Sequence, residues 1–421
     1  MPSSVSTLQR CYWVGLSRVH QHQPRWLAVF SQSKLGAECC AEASRNGIIV
    51  IPYLHVTAST PRHSSASSDC EPTPDGIDSI LCHVAEPDAP GLALFARKDG
   101  RTTLERCCGL RDLRVRTKID SLTNFRLASC TKQFTAMAIM LLVRDHSLSY
   151  DTRLTDVFPD FPRYGRSITI RHLLSHTSGL PDYEDLLPRS SPQMRLERED
   201  QISDAGVLAL LRQATTKFQP GTRWAYSNSG YVLLGEVVAK VSHEPFHRFL
   251  RDHIFVPLGM DNTFAYVKGT NEVPNRAYGH SKQGGVWLET DQDATSATLG
   301  DGGVYSSLTD LAKWDDELTC HSLLSAEEMQ PALLPVAVPK ANPYGAGNEL
   351  AAYGFGWFLD PYKGHPRMWH YGETIGFRTF IQRFTRNHLT VVVLCNRSDL
   401  NPTALGEQVS NLFFAREARP K

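Results

Sequence analysis

Apolar residues recur at i, i+3, i+4 and i+7 in Phe134, Met137, Ala138 and Leu141. That spacing predicts a helix that turns one face to the interior and lies at the centre of the fold. Tyr231, Leu234, Val238 and Val241 predict another helix, and Leu405, Val409 and Leu412 a terminal one started near Pro402. Nearer the chain ends the period shortens. Leu92-Ala93-Leu94-Phe95-Ala96 and Thr102-Thr103-Leu104-Glu105-Arg106 flank Asp99-Gly100, which reads as a hairpin opening a sheet. Phe380-Ile381-Gln382-Arg383-Phe384 and Leu389-Thr390-Val391-Val392-Val393-Leu394, joined around Arg386-Asn387, read as further strands of the same sheet.

Residues 1–75 break this regularity. They show no sustained period and end in Thr57-Ala58-Ser59-Thr60-Pro61-Arg62-His63-Ser64-Ser65-Ala66-Ser67-Ser68, a linker-like or disordered composition. We therefore divide the chain into an N-terminal extension over 1–75 and a catalytic domain over 76–416. No acidic residue precedes Glu38, whereas Arg10, Arg18, Arg25 and Lys34 are basic, a composition shared by transit peptides and by unstructured upstream segments. Trp26-Leu27-Ala28-Val29-Phe30 and Ile48-Ile49-Val50-Ile51 are too short for a secretory signal core of roughly 7–15 residues, and shorter still than a membrane span. The compartment stays open.

The chain has 421 residues, 41% of them hydrophobic, and 44 basic against 44 acidic side chains. It can bury a large core, and it carries no net charge that would draw it to nucleic acid or an anionic membrane. Its ten cysteines include the adjacent pairs Cys39-Cys40 and Cys107-Cys108 but no C-x-x-C spacing. We expect no metal, no cofactor and no disulfide framework.

The chemistry is concentrated in Ser129-Cys130-Thr131-Lys132, which opens the first predicted helix. A serine and a lysine three apart on a helix share a face, with roughly 5–6 Å between their Cβ atoms, so the amine can act as base to the hydroxyl. The helix start adds N–H donors and a positive dipole end. A plain helix-capping serine and a surface lysine are the bland alternatives. Two further segments weigh against them: Tyr226-Ser227-Asn228 just ahead of a helix, and His370-Tyr371-Gly372 on a predicted strand.

Ser-x-x-Lys, Tyr-x-Asn and a basic residue-x-Gly, in that chain order, resemble the arrangement of serine penicillin-recognising enzymes. Arg171-His172-Leu173-Leu174-Ser175-His176-Thr177-Ser178-Gly179-Leu180, Pro257-Leu258-Gly259-Met260 and Gly302-Gly303-Val304-Tyr305-Ser306-Ser307 extend the resemblance over roughly 76–416. The chain thus resembles the class C β-lactamase superfamily, with its penicillin-binding-protein, D-aminopeptidase and esterase members. The resemblance implies an α+β fold, an antiparallel sheet flanked by helices with an all-helical subregion.

For the site it implies Ser129 as nucleophile, Lys132 as base and Tyr226 as proton shuttle. Asn228, His370, Gly372 and Glu373 are implied on the substrate side, with the N–H groups of Ser129 and Glu373 as oxyanion hole and Gly372 admitting the substrate backbone. Asn228 also suits an N-cap, Tyr226 a core aromatic, and His370 an ordinary strand position. His370-Tyr371-Gly372 stands where β-lactamases commonly carry Lys-Thr-Gly, so a mostly neutral imidazole and a bulky ring replace a cation and a small hydroxyl. The implied function is a serine hydrolase acting through a Ser129 acyl-enzyme on a small ester, amide or peptide. A β-lactamase or D-amino-acid peptidase, and a catalytically idle assembly protein, are the alternatives. His172, Ser175 and His176 are expected to shape the scaffold, Gly302 and Gly303 a tight turn, and Cys130 to pack.

Overall fold

The computed structural model describes residues 76–81, 86–187, 201–336 and 352–417. All belong to the second of two units into which the chain divides, Met1–Glu71 and Pro72–Lys421, so the expected extension lies outside the described residues. Five strands, β1 (Leu92–Lys98), β2 (Arg101–Cys108), β3 (Arg367–Thr374), β4 (Phe377–Phe384) and β5 (Leu389–Cys395), form one antiparallel sheet in the order β3-β4-β5-β1-β2. Leu92 pairs with Cys395 and Lys98 with Leu389, so the two ends of the chain close the sheet at its centre.

Strand β1 is buried along nearly its whole length, because both faces of the sheet are covered. Side-chain alternation divides it: Leu92, Leu94 and Ala96 pack with Leu405 and Val409, whereas Ala93 and Phe95 join the larger core containing Phe134 and Met137. Between the halves of the sheet run the longer helices α1 (Lys132–Arg144), α2 (Asp204–Arg212), α3 (Asn228–Ser242) and α4 (Leu308–Cys320), and α5 (Pro402–Glu417) closes the chain.

Helix α1 differs from expectation: every residue from Lys132 to Leu142 is buried, not one face only. Phe255 meets its Phe134 edge-to-face and Trp314 packs tilted against it, at ring-centroid distances of 5.4 and 4.6 Å, and the sheet takes another side. Its buried Gln133 accepts from the Trp314 indole and its buried Thr135 donates to the Gly300 carbonyl, and a lysine at its first turn is the costly buried group, because it can carry charge. Among the described residues, no helix is long and apolar enough to cross a membrane.

Candidate active site

Ser129 lies in a 3₁₀ turn, Ala128–Thr131, that runs directly into α1. Thr379 Oγ1 donates to the Leu127 carbonyl at 2.7 Å, and the Leu127 N–H donates to Val304 O at 2.8 Å. Ala128 sits in the left-handed region at φ 47°, which costs an alanine roughly 1–2 kcal/mol and persists because the neighbours fix the turn. Edge strand β3 supports it from below. A Cβ built on Gly372 would stand 2.2 Å from Leu127 O and 2.3 Å from Thr379 Oγ1, so only glycine fits there. The missing side chain of Gly372 thus makes room for the turn that carries Ser129.

Lys132 is wholly buried, and its Nζ has three partners: Asn228 Oδ1 at 2.8 Å, the Asp301 carbonyl at 2.9 Å and Ser129 Oγ at 3.1 Å. The first two can only accept. A neutral amine spends its two N–H groups on them and is left with its lone pair toward the serine hydroxyl. Desolvation lowers Lys132 to about 8 against the pull of Asp301, Asp182 and Glu184, so a neutral fraction exists near physiological pH. The rings of Tyr226 and Tyr231 lie 4.9 and 5.5 Å from Nζ and favour its cationic form.

Tyr226 is partly buried, and its buried hydroxyl faces Ser129 without a full hydrogen bond. Burial raises its pKa well above the ordinary phenol value, so it remains a proton donor. His176 positions this stretch. Its Nδ1 accepts from the Ser227 N–H at 3.2 Å, its carbonyl accepts from Ala225 N at 3.0 Å, and its ring lies 4.4 Å from that of Tyr226. The scaffold part expected of the His172–His176 segment takes this form: Thr169 caps the short helix Ile170–Leu174 that presents His176.

Helix α3 starts at Asn228, with Ser227 in the cap position, so the expectation of an Asn228 N-cap is corrected. The Asn228 side chain instead bridges Lys132 and Glu184, donating to Glu184 Oε1 at 3.2 Å. Its backbone N–H donates to Asp182 Oδ2 at 2.7 Å.

The alternation of β3 decides what faces Ser129. Trp369 exchanges N–H and C=O bonds with Phe358 on the side away from β4. With a period of two, the N–H groups of Tyr371 and Glu373 point to that same free side. Glu373 lines the cleft with Ser129, Asn228, Glu184 and Asp301, its carboxylate paired with Arg378 at 2.9 Å.

His370 is not brought to the cleft. It is fully buried, its Nδ1–H can only donate to the Tyr371 carbonyl at 2.6 Å, and its Nε2 accepts from the Tyr353 hydroxyl at 3.1 Å. Burial and the nearby Lys132 push it down to about 3. The expected substrate contact through this ring is therefore corrected to a neutral ring inside an aromatic cluster with Tyr353, Phe358 and Tyr226. Tyr371 packs partly against the core containing Phe380 and Phe384. Cys130 is buried with its thiol donating to the His370 carbonyl at 3.4 Å, and burial raises it to about 12.

Sequence reasoning missed an acidic wall. Asp182 and Glu184 follow directly on the His176-Thr177-Ser178-Gly179 segment, and Asp301 precedes Gly302-Gly303. Asp301 is 6% exposed, and Tyr183 donates to its Oδ2 at 3.2 Å. Glu184 meets solvent at the rim, yet the chain packed round it and the carboxylates of Asp182, Asp301 and Asp293 push it up to about 7. Among the described residues, no cluster of His, Cys, Asp and Glu is arranged to hold a metal ion.

Comparison with known proteins agrees with this geometry. The Beta-lactamase family model matches residues 78–411. Penicillin-binding protein 4* of Bacillus subtilis is 30% identical over 321 residues, 73% of this chain and 68% of its own length. Among solved structures, the octameric penicillin-binding protein homologue of Pyrococcus abyssi superposes with a TM-score of 0.69 at 25% identity, over 80% of this chain and 76% of that one. D-amino acid amidase from Ochrobactrum anthropi SV3, complexed with L-phenylalanine amide, gives 0.67 at 25% identity, over 81% and 97%.

Proposed function

Because the chain belongs to the Beta-lactamase family, a family of serine hydrolases, we propose that it cleaves a small ester or amide through an acyl-enzyme on Ser129. The observation that carries this reading is the Lys132 amine. It is buried, tied to two obligate acceptors and aimed at Ser129 Oγ from 3.1 Å.

In acylation, neutral Lys132 takes the hydroxyl proton as Ser129 Oγ bonds to the carbonyl carbon. The oxyanion meets the N–H groups of Ser129 and Glu373, both fixed before reaction and therefore needing no reorganisation. Protonated Tyr226, beside Ser129, gives its proton to the departing alcohol or amine as the C–O or C–N bond breaks. The Lys132 proton then returns to the Tyr226 phenolate, and water attacks the ester so formed, giving its proton to the again-neutral lysine, which passes it to Ser129 Oγ as that oxygen leaves as the hydroxyl. An idle assembly role would leave a neutralised, desolvated lysine without purpose.

The neutral, buried His370 supplies no cation for the carboxylate of a β-lactam, which favours simple esters and amides over β-lactams. The B. subtilis and Ochrobactrum relatives, named for penicillin binding and for D-amino acid amides, support acyl transfer from small substrates. Side-by-side kcat/KM values for p-nitrophenyl acetate, nitrocefin and D-alanine p-nitroanilide test the reading. Turnover of the ester or anilide with no advantage for nitrocefin is expected; nitrocefin as the best of the three would overturn the preference.

A further inference from the structure

Hydrolysis of the acyl-enzyme needs a water beside Lys132, and one side chain of the cleft has no part in the acylation chemistry. Asp301 is more than nine-tenths buried and lines the cleft with Ser129. Tyr183, itself buried, donates to its Oδ2 at 3.2 Å, while among the described residues its Oδ1 has no hydrogen-bond partner. A buried carboxylate oxygen without a donor costs free energy that a donor entering the cleft recovers. The backbone fixes where that oxygen can be. The Asp301 carbonyl accepts from Lys132 Nζ at 2.9 Å, the Gly302 carbonyl from Arg126 Nε at 3.1 Å, and the Gly303 N–H donates to Leu299 O at 2.9 Å. A Cβ built on Gly302 would lie 3.6 Å from Ala128, so the segment packs on the turn that carries Ser129. With Oδ2 turned to Tyr183, Oδ1 is the oxygen left to the cleft, on the same residue whose carbonyl holds the base. The other carboxylates lining the cleft are engaged differently: Glu184 meets solvent and accepts from the Asn228 amide at 3.2 Å, and Glu373 is paired with Arg378 at 2.9 Å.

We propose that Asp301 is a catalytic residue of deacylation, its Oδ1 accepting one hydrogen of the attacking water while Lys132 takes the other. This deepens the acyl-enzyme reading and rests on it. The water oxygen bonds to the acyl carbon as one proton passes to neutral Lys132, and the second hydrogen stays on that oxygen, hydrogen-bonded to Asp301 Oδ1. The lysine then protonates Ser129 Oγ as the bond from Oγ to the acyl carbon breaks. The product leaves as the carboxylic acid, which loses its proton to solvent, and Asp301 ends the step unchanged. Acylation has no water to orient, so there Asp301 acts only through the charge it sets beside Lys132. Its effects on that step oppose each other: without the charge more of the lysine is neutral, but the lysine is a weaker base.

The two half-reactions can be read apart with p-nitrophenyl acetate and enzyme in excess. Release of p-nitrophenol reads acylation, and the rise and fall of acetyl-enzyme, followed by rapid-quench mass spectrometry, reads deacylation. In Asp301→Asn, close to isosteric, and in Asp301→Ala, we expect acylation little changed and deacylation slower by roughly tenfold or more, so that acetyl-enzyme accumulates on Ser129. Hydroxylamine, a strong nucleophile that attacks an ester without a base, should discharge the acetyl-enzymes of wild type and both variants at closely similar rates. A merely structural role would slow both half-reactions, or both nucleophiles, together. Either of those results, or an acetyl-enzyme that decays in both variants at the wild-type rate, overturns the proposal. Fluorophosphonate labelling of wild-type Ser129 reports separately on the acyl-enzyme reading: its absence sinks that reading, whereas labelling together with unaltered deacylation in Asp301→Asn sinks only the part given to Asp301.

Discussion

Lys132→Met should destroy activity without lowering stability at neutral pH. The lysine's fall from its ordinary 10.5 to about 8, at about 1.36 kcal/mol per pH unit, means that burying it protonated costs the fold about 3 kcal/mol below pH 8. The sign follows from proton counts. Between about 8 and 10.5 the unfolded chain holds the lysine proton and the folded protein does not, so this group makes stability rise with pH in that window and contributes no slope below it. Methionine removes the charge at similar volume but leaves Asn228 Oδ1 and the Asp301 carbonyl without their donor. Each costs about 1–3 kcal/mol, so gain and loss nearly cancel at pH 7.

Urea melts of both proteins from pH 6 to 10.5 check this. The wild-type curve should gain up to about 3 kcal/mol on the variant across the upper window. In parallel, wild-type kcat/KM on p-nitrophenyl acetate, corrected for hydroxide, should climb with pH and level off above about 8. Parallel stability curves, or a kcat/KM flat from pH 6 to 9, would refute the claim that Lys132 is a desolvated base.

Gly372→Ala forces a methyl to 2.2 Å from Leu127 O, so it should cost about 1–3 kcal/mol in denaturant melts and lower kcat on p-nitrophenyl acetate by roughly a hundredfold. His370→Lys places a second amine in a fully buried aromatic cluster near Lys132; we expect a Tm several degrees lower and no gain on nitrocefin, measured by scanning fluorimetry and absorbance. Tyr226→Phe keeps the ring over Lys132 and should reduce turnover of an anilide more than of a p-nitrophenyl ester, whose leaving group needs no proton, as read from the two kcat/KM values. Cys130→Ala removes only a thiol bonded to the His370 carbonyl; fluorophosphonate labelling should proceed at the wild-type rate.

What could be read from the chain was what local geometry determines. Ser129 and Lys132 meet because three residues on a tight helical start bring them together, and Tyr226 and Asn228 precede or open a helix whose apolar period was plain. The β1–β2 hairpin and the β4–β5 pair were equally legible from alternation and turns. Long-range approach was not. Whether His370 faced substrate or core depended on which side of β3 the Tyr353 hydroxyl would fill, and position 353 carries no periodic signal. The need for glycine at 372 came from Leu127, 245 positions earlier, folding onto the edge strand. Asp182, Glu184 and Asp301 read as ordinary polar loop residues until folding placed them round one amine.

The central claim is that Ser129 is the nucleophile and that Lys132 activates it. Intact-mass and peptide-level mass spectrometry after a brief fluorophosphonate pulse tests it most directly, in wild type, Ser129→Ala and Lys132→Met. The account predicts one adduct per chain on the peptide carrying Ser129, absent from Ser129→Ala and slowed at least a hundredfold in Lys132→Met. An adduct on another residue, or a labelling rate indifferent to Lys132, would contradict it.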